Sequence, residues 1–240
     1  MGAIVGAQVV DLADVVGHPA FPSTMEALVS RPRGTVMDAA RAALERTDEV
    51  EACTVPDARL LAPILPPSLG EDDHRWLAGP GDEISCPPGN GDVRFDLELA
   101  AVIFRPTKGR LRKSQAADCV FGYTLMSYWS HEEAFAAALG PCIVTADEFD
   151  PDTEVVASVN GKEWSRGNLT EAESSFAEQI VAAAKAGELL PGEVFGSGTL
   201  GLRKRTAKPP KPGATVEIDA AGIGVLRNTV GARVRSRAAS

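Results

Sequence analysis

Two carboxylates stand two residues apart, Asp96 and Glu98, in the stretch "VRFDLELAAVIF". In a β-strand, residues i and i+2 share a face. The two acids are therefore neighbours on one side, while Phe95, Leu97, Leu99, Ala101 and Ile103 line the other. Such a pair can offer oxygen ligands to a hard divalent cation. Without a cation the two charges repel, so that one carboxyl tends to keep its proton near neutral pH and the pair can act as general acid and base. The same alternation also fits a plain strand with one solvated face. Tyr128, in "FGYTLMSYWSHEEAF", is the second point of interest. A neutral phenol is a poor metal ligand beside a carboxylate, yet its O–H can donate to negative charge developing on an oxygen; the alternative is a buried core aromatic.

Weaker candidates surround these three. His131, followed by Glu132 and Glu133, is either a proton shuttle or a surface histidine paired with acids. Asp72, Asp73 and His74 in "EDDHRW" are either a substitute ligand set or a solvated acidic loop. Cys119 and Cys142 have no basic partner in sequence and read as core.

Composition narrows the partners. The chain has 240 residues, enough to bury a sizeable core without a metal or disulfides. Its 24 Lys+Arg against 33 Asp+Glu leave a formal charge of −9, which argues against nucleic acid or an anionic membrane surface. A small molecule or a protein partner is expected. The four cysteines are scattered without a C-x-x-C pair, so neither a zinc knuckle nor a disulfide framework is indicated, and a reducing cytoplasm fits. The N-terminal stretch alternates apolar and polar residues and carries Asp11 and Asp14; neither a secretion signal nor a membrane span is read there.

The elements that must position the candidates are legible in outline. Residues 3–16 predict a short hairpin. Ser23 with Glu26, and Thr35 with Asp38, each predict a helix start. Residues 1–60 thus make a small mixed α/β module of two strands and two helices, and residues 61–240 the main domain, entered through Pro- and Gly-rich loops with one short strand. There "VRFDLELAAVIF" and "VFGYTLMSYW" read as strands, with a short helix capped by Ser114 and running to Val120 between them. Asn160-Gly161 predicts a type I′ hairpin. Thr170 with Glu173 predicts the start of a helix ending near Gly187. "LLPGEVFGSGTLG" and "ATVEIDAAGIGVLRNTVG" read as strands, Arg203 to Lys211 as a basic loop and "RVRSRAAS" as a frayed tail. The class is α+β, mainly β: a roll or sandwich rather than a βαβ sheet.

Taken in order, "LAP", "GPGDEI", "DLELAAVIF", "FGYT", "LGPCIVTADEF", "VNGKEWSRGN", "SFAEQI", "LLPGEVFGSGTLG" and "GIGVLRNTVG" make a chain that resembles the fumarylacetoacetate hydrolase family from about Leu61 to Gly231. The resemblance implies a β-roll main domain, a homodimer, and a divalent cation that chelates a 1,3-dicarbonyl or 2-oxo acid during C–C cleavage or enol formation. It places Thr199, and with it Ser197 in the intact "GSGT" turn, at the substrate. The departures matter as much. The family's Glu-x-Glu is Asp96-x-Glu98, its aspartate ligand is replaced by Tyr128, and its lid is contracted to Ile64–Ala78, where His74 remains as a candidate base.

The expectation is an enzyme using Asp96, Glu98, Tyr128, His131 and His74, with no cofactor or weakly bound Mg²⁺ or Mn²⁺ at Asp96 and Glu98. Its chemistry would be enolate chemistry: tautomerisation, decarboxylation, cyclisation or C–C lysis. The alternatives are a metal-dependent C–C hydrolase with substituted ligands and a silent metabolite- or partner-binding homologue.

Overall fold

The computed structural model describes residues 1–31, 33–45, 52–54, 57–68, 77–86, 93–131, 134–201 and 209–233. Strands β1 (Gly2–Val5) and β2 (Gln8–Asp11) form an antiparallel hairpin, and β3 (Ala52–Thr54) pairs with β2. The hairpin stops at Asp11 rather than running to residue 16. The Asp11 carboxylate accepts hydrogen bonds from the Ala13 N–H at 2.8 Å and the Asp14 N–H at 3.4 Å, which starts helix α1 (Leu12–Val16). Helix α2 (Met25–Val29) is capped by Thr24, not Ser23. Glu26, expected to close that cap, instead accepts the Leu65 N–H on Oε1 at 3.1 Å and ties α2 to the following segment. Helix α3 (Arg33–Leu44) begins two residues ahead of Thr35.

The remaining strands are β4 (Leu77–Ala78), β5 (Glu83–Cys86), β6 (Arg94–Ile103), β7 (Thr107–Lys108), β8 (Val120–His131), β9 (Ala134–Thr145), β10 (Val155–Val159), β11 (Lys162–Gly167), β12 (Glu188–Leu189), β13 (Val194–Gly196), β14 (Thr215–Ala220) and β15 (Gly224–Arg233). Two short strands, β4 and β5, thus stand where one was expected. Helix α4 (Lys113–Ala117) ends before Val120, which already belongs to β8. Helix α5 (Phe176–Ala186) starts from Ser175, whose capping box closes with Glu178. Thr170 lies earlier, in a single 3₁₀ turn. Two capping boxes compete in this stretch, and the one directly before the buried face of Phe176, Ile180 and Ala184 prevails. The β10–β11 turn is as expected: Asn160 at φ 50° and Gly161 at φ 73° both adopt the left-handed region a type I′ turn needs.

Two five-stranded sheets carry the fold, in the orders β13-β6-β8-β9-β4 and β11-β10-β14-β15-β5. Their facing sides share one core. Phe95, Leu97, Leu99 and Trp129 of the first meet Val155, Ala157, Ile218, Leu226 and Val230 of the second. Phe95 lies between Trp129 and Trp164, with ring centroids 5.0 Å and 5.4 Å away. Each such side chain contributes about 1.5–3 kcal/mol by leaving water. The outer face of the first sheet is also covered: Ala100, Val102, Phe121, Met126 and Leu139 pack with Leu28 and Val29 of α2 and with Ile64. Strand β6 is therefore buried on both sides over most of its length. Asp96 and Glu98 belong to this second, covered face.

Candidate active site

Antiparallel pairing of β6 with β8 sets Asp96 opposite Tyr128, Glu98 opposite Met126 and Ala100 opposite Thr124. Because side chains alternate, Asp96, Glu98, Met126 and Tyr128 stand together on one face, with Cβ atoms of opposed residues about 5 Å apart. On the other side of β6, β13 continues into the "GSGT" turn. The Ser197 N–H donates to the Leu99 carbonyl at 2.8 Å and the Leu200 N–H to the Leu97 carbonyl at 2.7 Å. The turn is thus stitched to the strand that bears the two acids.

Glu98 is only 7% exposed. Its Oε2 accepts a hydrogen bond from the Gly198 N–H at 3.2 Å, and among the described residues Oε1 accepts none. Burial pushes the carboxyl up to about 7; the Gly198 N–H opposes the rise and the nearby Asp96 adds to it. Repulsion within the pair, the cause anticipated from the sequence, is thus the smaller contribution, and desolvation the larger. Near neutral pH such a group can both give and take a proton.

The other expected residues are distributed unequally. Tyr128 is half-buried on the same face. Ser197 is buried, and its hydroxyl is engaged within the chain: Oγ accepts the Leu99 N–H at 3.1 Å and donates to the Gly198 carbonyl at 2.7 Å. These two bonds help to anchor the turn. Thr199 is exposed, one residue past Gly198. His131 ends β8, paired with Ala134, and its side chain lies outside the described part of the chain. Asp72, Asp73 and His74 fall outside the described residues, as does most of the basic loop.

Cation binding at this face can be tested on its donors. Among the described residues no group of three or more His, Cys, Asp or Glu side chains is arranged to hold a metal ion. The positions facing the two carboxylates are a phenol and a thioether. A hard cation requires several charged or carbonyl oxygens. The donors among the described residues do not fit one.

Reasoning from the sequence missed Met126, Gly196 and the Gly198 N–H. Met126 was available from the period of two that placed Tyr128. The other two follow from the β13–β6 pairing, and no local pattern announces it.

The β-rich fold, with its paired acids beside a glycine-rich turn, finds its relatives in one family. A family model described as fumarylacetoacetate (FAA) hydrolase C-terminal matches residues 35–231, and the chain belongs to that family. Protein Rv2993c of Mycobacterium tuberculosis is 28% identical over 96% of this chain and 97% of its own length. The human mitochondrial oxaloacetate tautomerase FAHD2A is 27% identical over 64% of this chain, and the match spans 55% of that protein, about half its length. Among solved structures, maleylpyruvate hydrolase from Sphingobium sp. SYK-6, in complex with manganese(II) and pyruvate, superposes with a TM-score of 0.78 at 22% identity, covering 97% of this chain and 96% of that one. At that identity the likeness speaks for the fold. Among the described residues, no helix is long and apolar enough to cross a membrane.

Proposed function

We propose that the protein is an enzyme of enolate chemistry acting on a small 1,3-dicarbonyl or 2-oxo acid, with keto–enol tautomerisation the reaction its site suits best. The observation that carries this reading is the Glu98 carboxyl, nearly dry, poised near pH 7, and held through Oε2 on the Gly198 N–H. As carboxylate, Glu98 takes a proton from the carbon between two carbonyls. As carboxylic acid, it returns that proton to the enolate oxygen, so the enzyme ends as it began. Tyr128, opposite Asp96 on β8, is the donor proposed to meet the negative charge that gathers on oxygen. Asp96 stays beside Glu98 and favours the step that leaves Glu98 protonated. Thr199 is proposed to bind the substrate's carboxylate.

Tautomerisation needs only this proton shuttle, and it neither activates water nor stabilises a departing carbanion. The human relative bears the name of that reaction on oxaloacetate. We further propose a symmetric homodimer in the cytoplasm. The decisive experiment follows the ketonisation of oxaloacetate and of 2,4-dioxopentanoate by ultraviolet absorbance, with and without EDTA. Catalysed ketonisation that survives the chelator supports the reading. Turnover abolished by EDTA, or products of C–C cleavage, would replace it with the metal-dependent hydrolase.

A further inference from the structure

Gly196 closes β13 and Gly198 lies in the turn that follows it, and each is a glycine for a different physical reason. Gly198 has φ +74° with open space around it, so its backbone demands glycine. Gly196 has no left-handed φ; any residue could adopt its backbone. What Gly196 lacks is room. A Cβ built there would overlap Glu98 Oε2 and would lie 2.6 Å from Met126 Cε. The carboxyl of Glu98 and the methyl of Met126 both rest on the bare backbone of Gly196, which is paired with Ala100 in the adjoining strand.

The geometry points to Gly196 as a positioning residue: its missing side chain forms a slot in which the Glu98 carboxyl lies flat, Oε2 committed to the Gly198 N–H and Oε1 alone presented to the substrate, with Met126 as the slot's apolar cover. The slot fixes which oxygen reacts. A freely rotating carboxylate would offer either oxygen over a range of angles, whereas one held at Oε2 leaves Oε1 on a single approach line. The cover is directly opposite Glu98 in register and is itself 8% exposed, so water has little access from that side. The structural half of this inference stands on the contacts alone, and its catalytic half rests on the enolate reading given above.

Gly196→Ala is the test, read first by crystallography and then by kinetics. The expected structure keeps β13 paired with β6 and shows the Glu98 carboxyl turned off the Gly198 N–H. On a turned-over substrate, kcat should fall roughly 10- to 100-fold while KM changes by less than about threefold. In a Glu98→Ala background the new Cβ has no carboxyl to displace, and Gly196→Ala should then change the residual rate by less than about twofold. Should Gly196→Ala fail to fold, Gly196→Ala combined with Met126→Ala removes half of the crowding and is expected to show the same displaced carboxyl. The inference is overturned if the carboxyl stays on the Gly198 N–H while β13 shifts away, or if the loss of rate is equally large without Glu98. Wild-type protein inactive on both probe substrates would count against the enolate reading, leaving the variant's crystal structure to decide the slot.

Discussion

The carboxyl of Glu98 and the backbone N–H of Gly198, one hundred residues apart in the chain, meet at 3.2 Å. This contact joins the strand that supplies the acid to the turn that orients it. It also opposes, without cancelling, the effect of burial on that acid.

Stability should therefore depend on pH through Glu98. Its folded pKa, about 7, lies above the ordinary 4.5, so the folded state holds this proton more tightly than the unfolded chain does. Its favourable contribution is full below about pH 4.5 and is lost as pH rises through about 7, a change of up to about 3 kcal/mol. Glu98→Gln keeps the shape and cannot ionise. Thermal melts should show the variant several degrees more stable than the parent at pH 8 and little changed at pH 4.5; equal melting temperatures at pH 8 would contradict the dry carboxyl.

Tyr128→Phe removes the proposed donor while keeping the aromatic ring. Turnover should drop on the order of 10²-fold, in the range seen when one oxyanion donor is deleted, with the folded state intact by circular dichroism. A variant as active as the parent would reduce Tyr128 to packing.

Metal affinity should be low. With a phenol and a thioether facing the acids, calorimetry with Mn²⁺ or Mg²⁺ is expected to give dissociation constants no tighter than about millimolar, as for weakly charged oxygen sites. Tyr128→Asp adds a carboxylate opposite Asp96 and should tighten binding while damaging a metal-free reaction. Micromolar affinity in the parent would restore the hydrolase reading.

Ser197→Ala tests the anchor of the turn. The substitution strips the buried Leu99 N–H of its acceptor and the Gly198 carbonyl of its donor. A buried N–H left unsatisfied costs about 1–3 kcal/mol, to be read from urea unfolding. A loss well below that range would mean that the turn is held by its backbone bonds alone.

Assembly is checked by sedimentation at micromolar concentration, where a symmetric pair is expected. A species of 25.2 kDa alone, the mass of one chain, would argue against it.

Much of this protein was decided locally. The alternation of Phe95, Leu97 and Leu99 with Asp96 and Glu98 determined both that β6 is a strand and that its two acids share a face, because the period of two leaves no other arrangement. Asn160-Gly161 determined its turn, since few residue pairs tolerate two positive φ angles in succession. Helix starts were legible only approximately: adjacent hydroxyl residues such as Ser23 and Thr24 compete for one cap, and the winner depends on which turn can bury its apolar face. Strand β9, with its "AFAAALGPC" start, was illegible because alanine marks no strand; it becomes one by pairing with β8. The candidate site divides in the same way. The residue types, and a proton retained by one of the two acids, were legible, but the desolvation that acts on Glu98 was not. It depends on Met126, Gly196 and the Gly198 N–H closing around one carboxyl, and desolvation is a property of what surrounds a group in space, which a one-dimensional pattern does not carry.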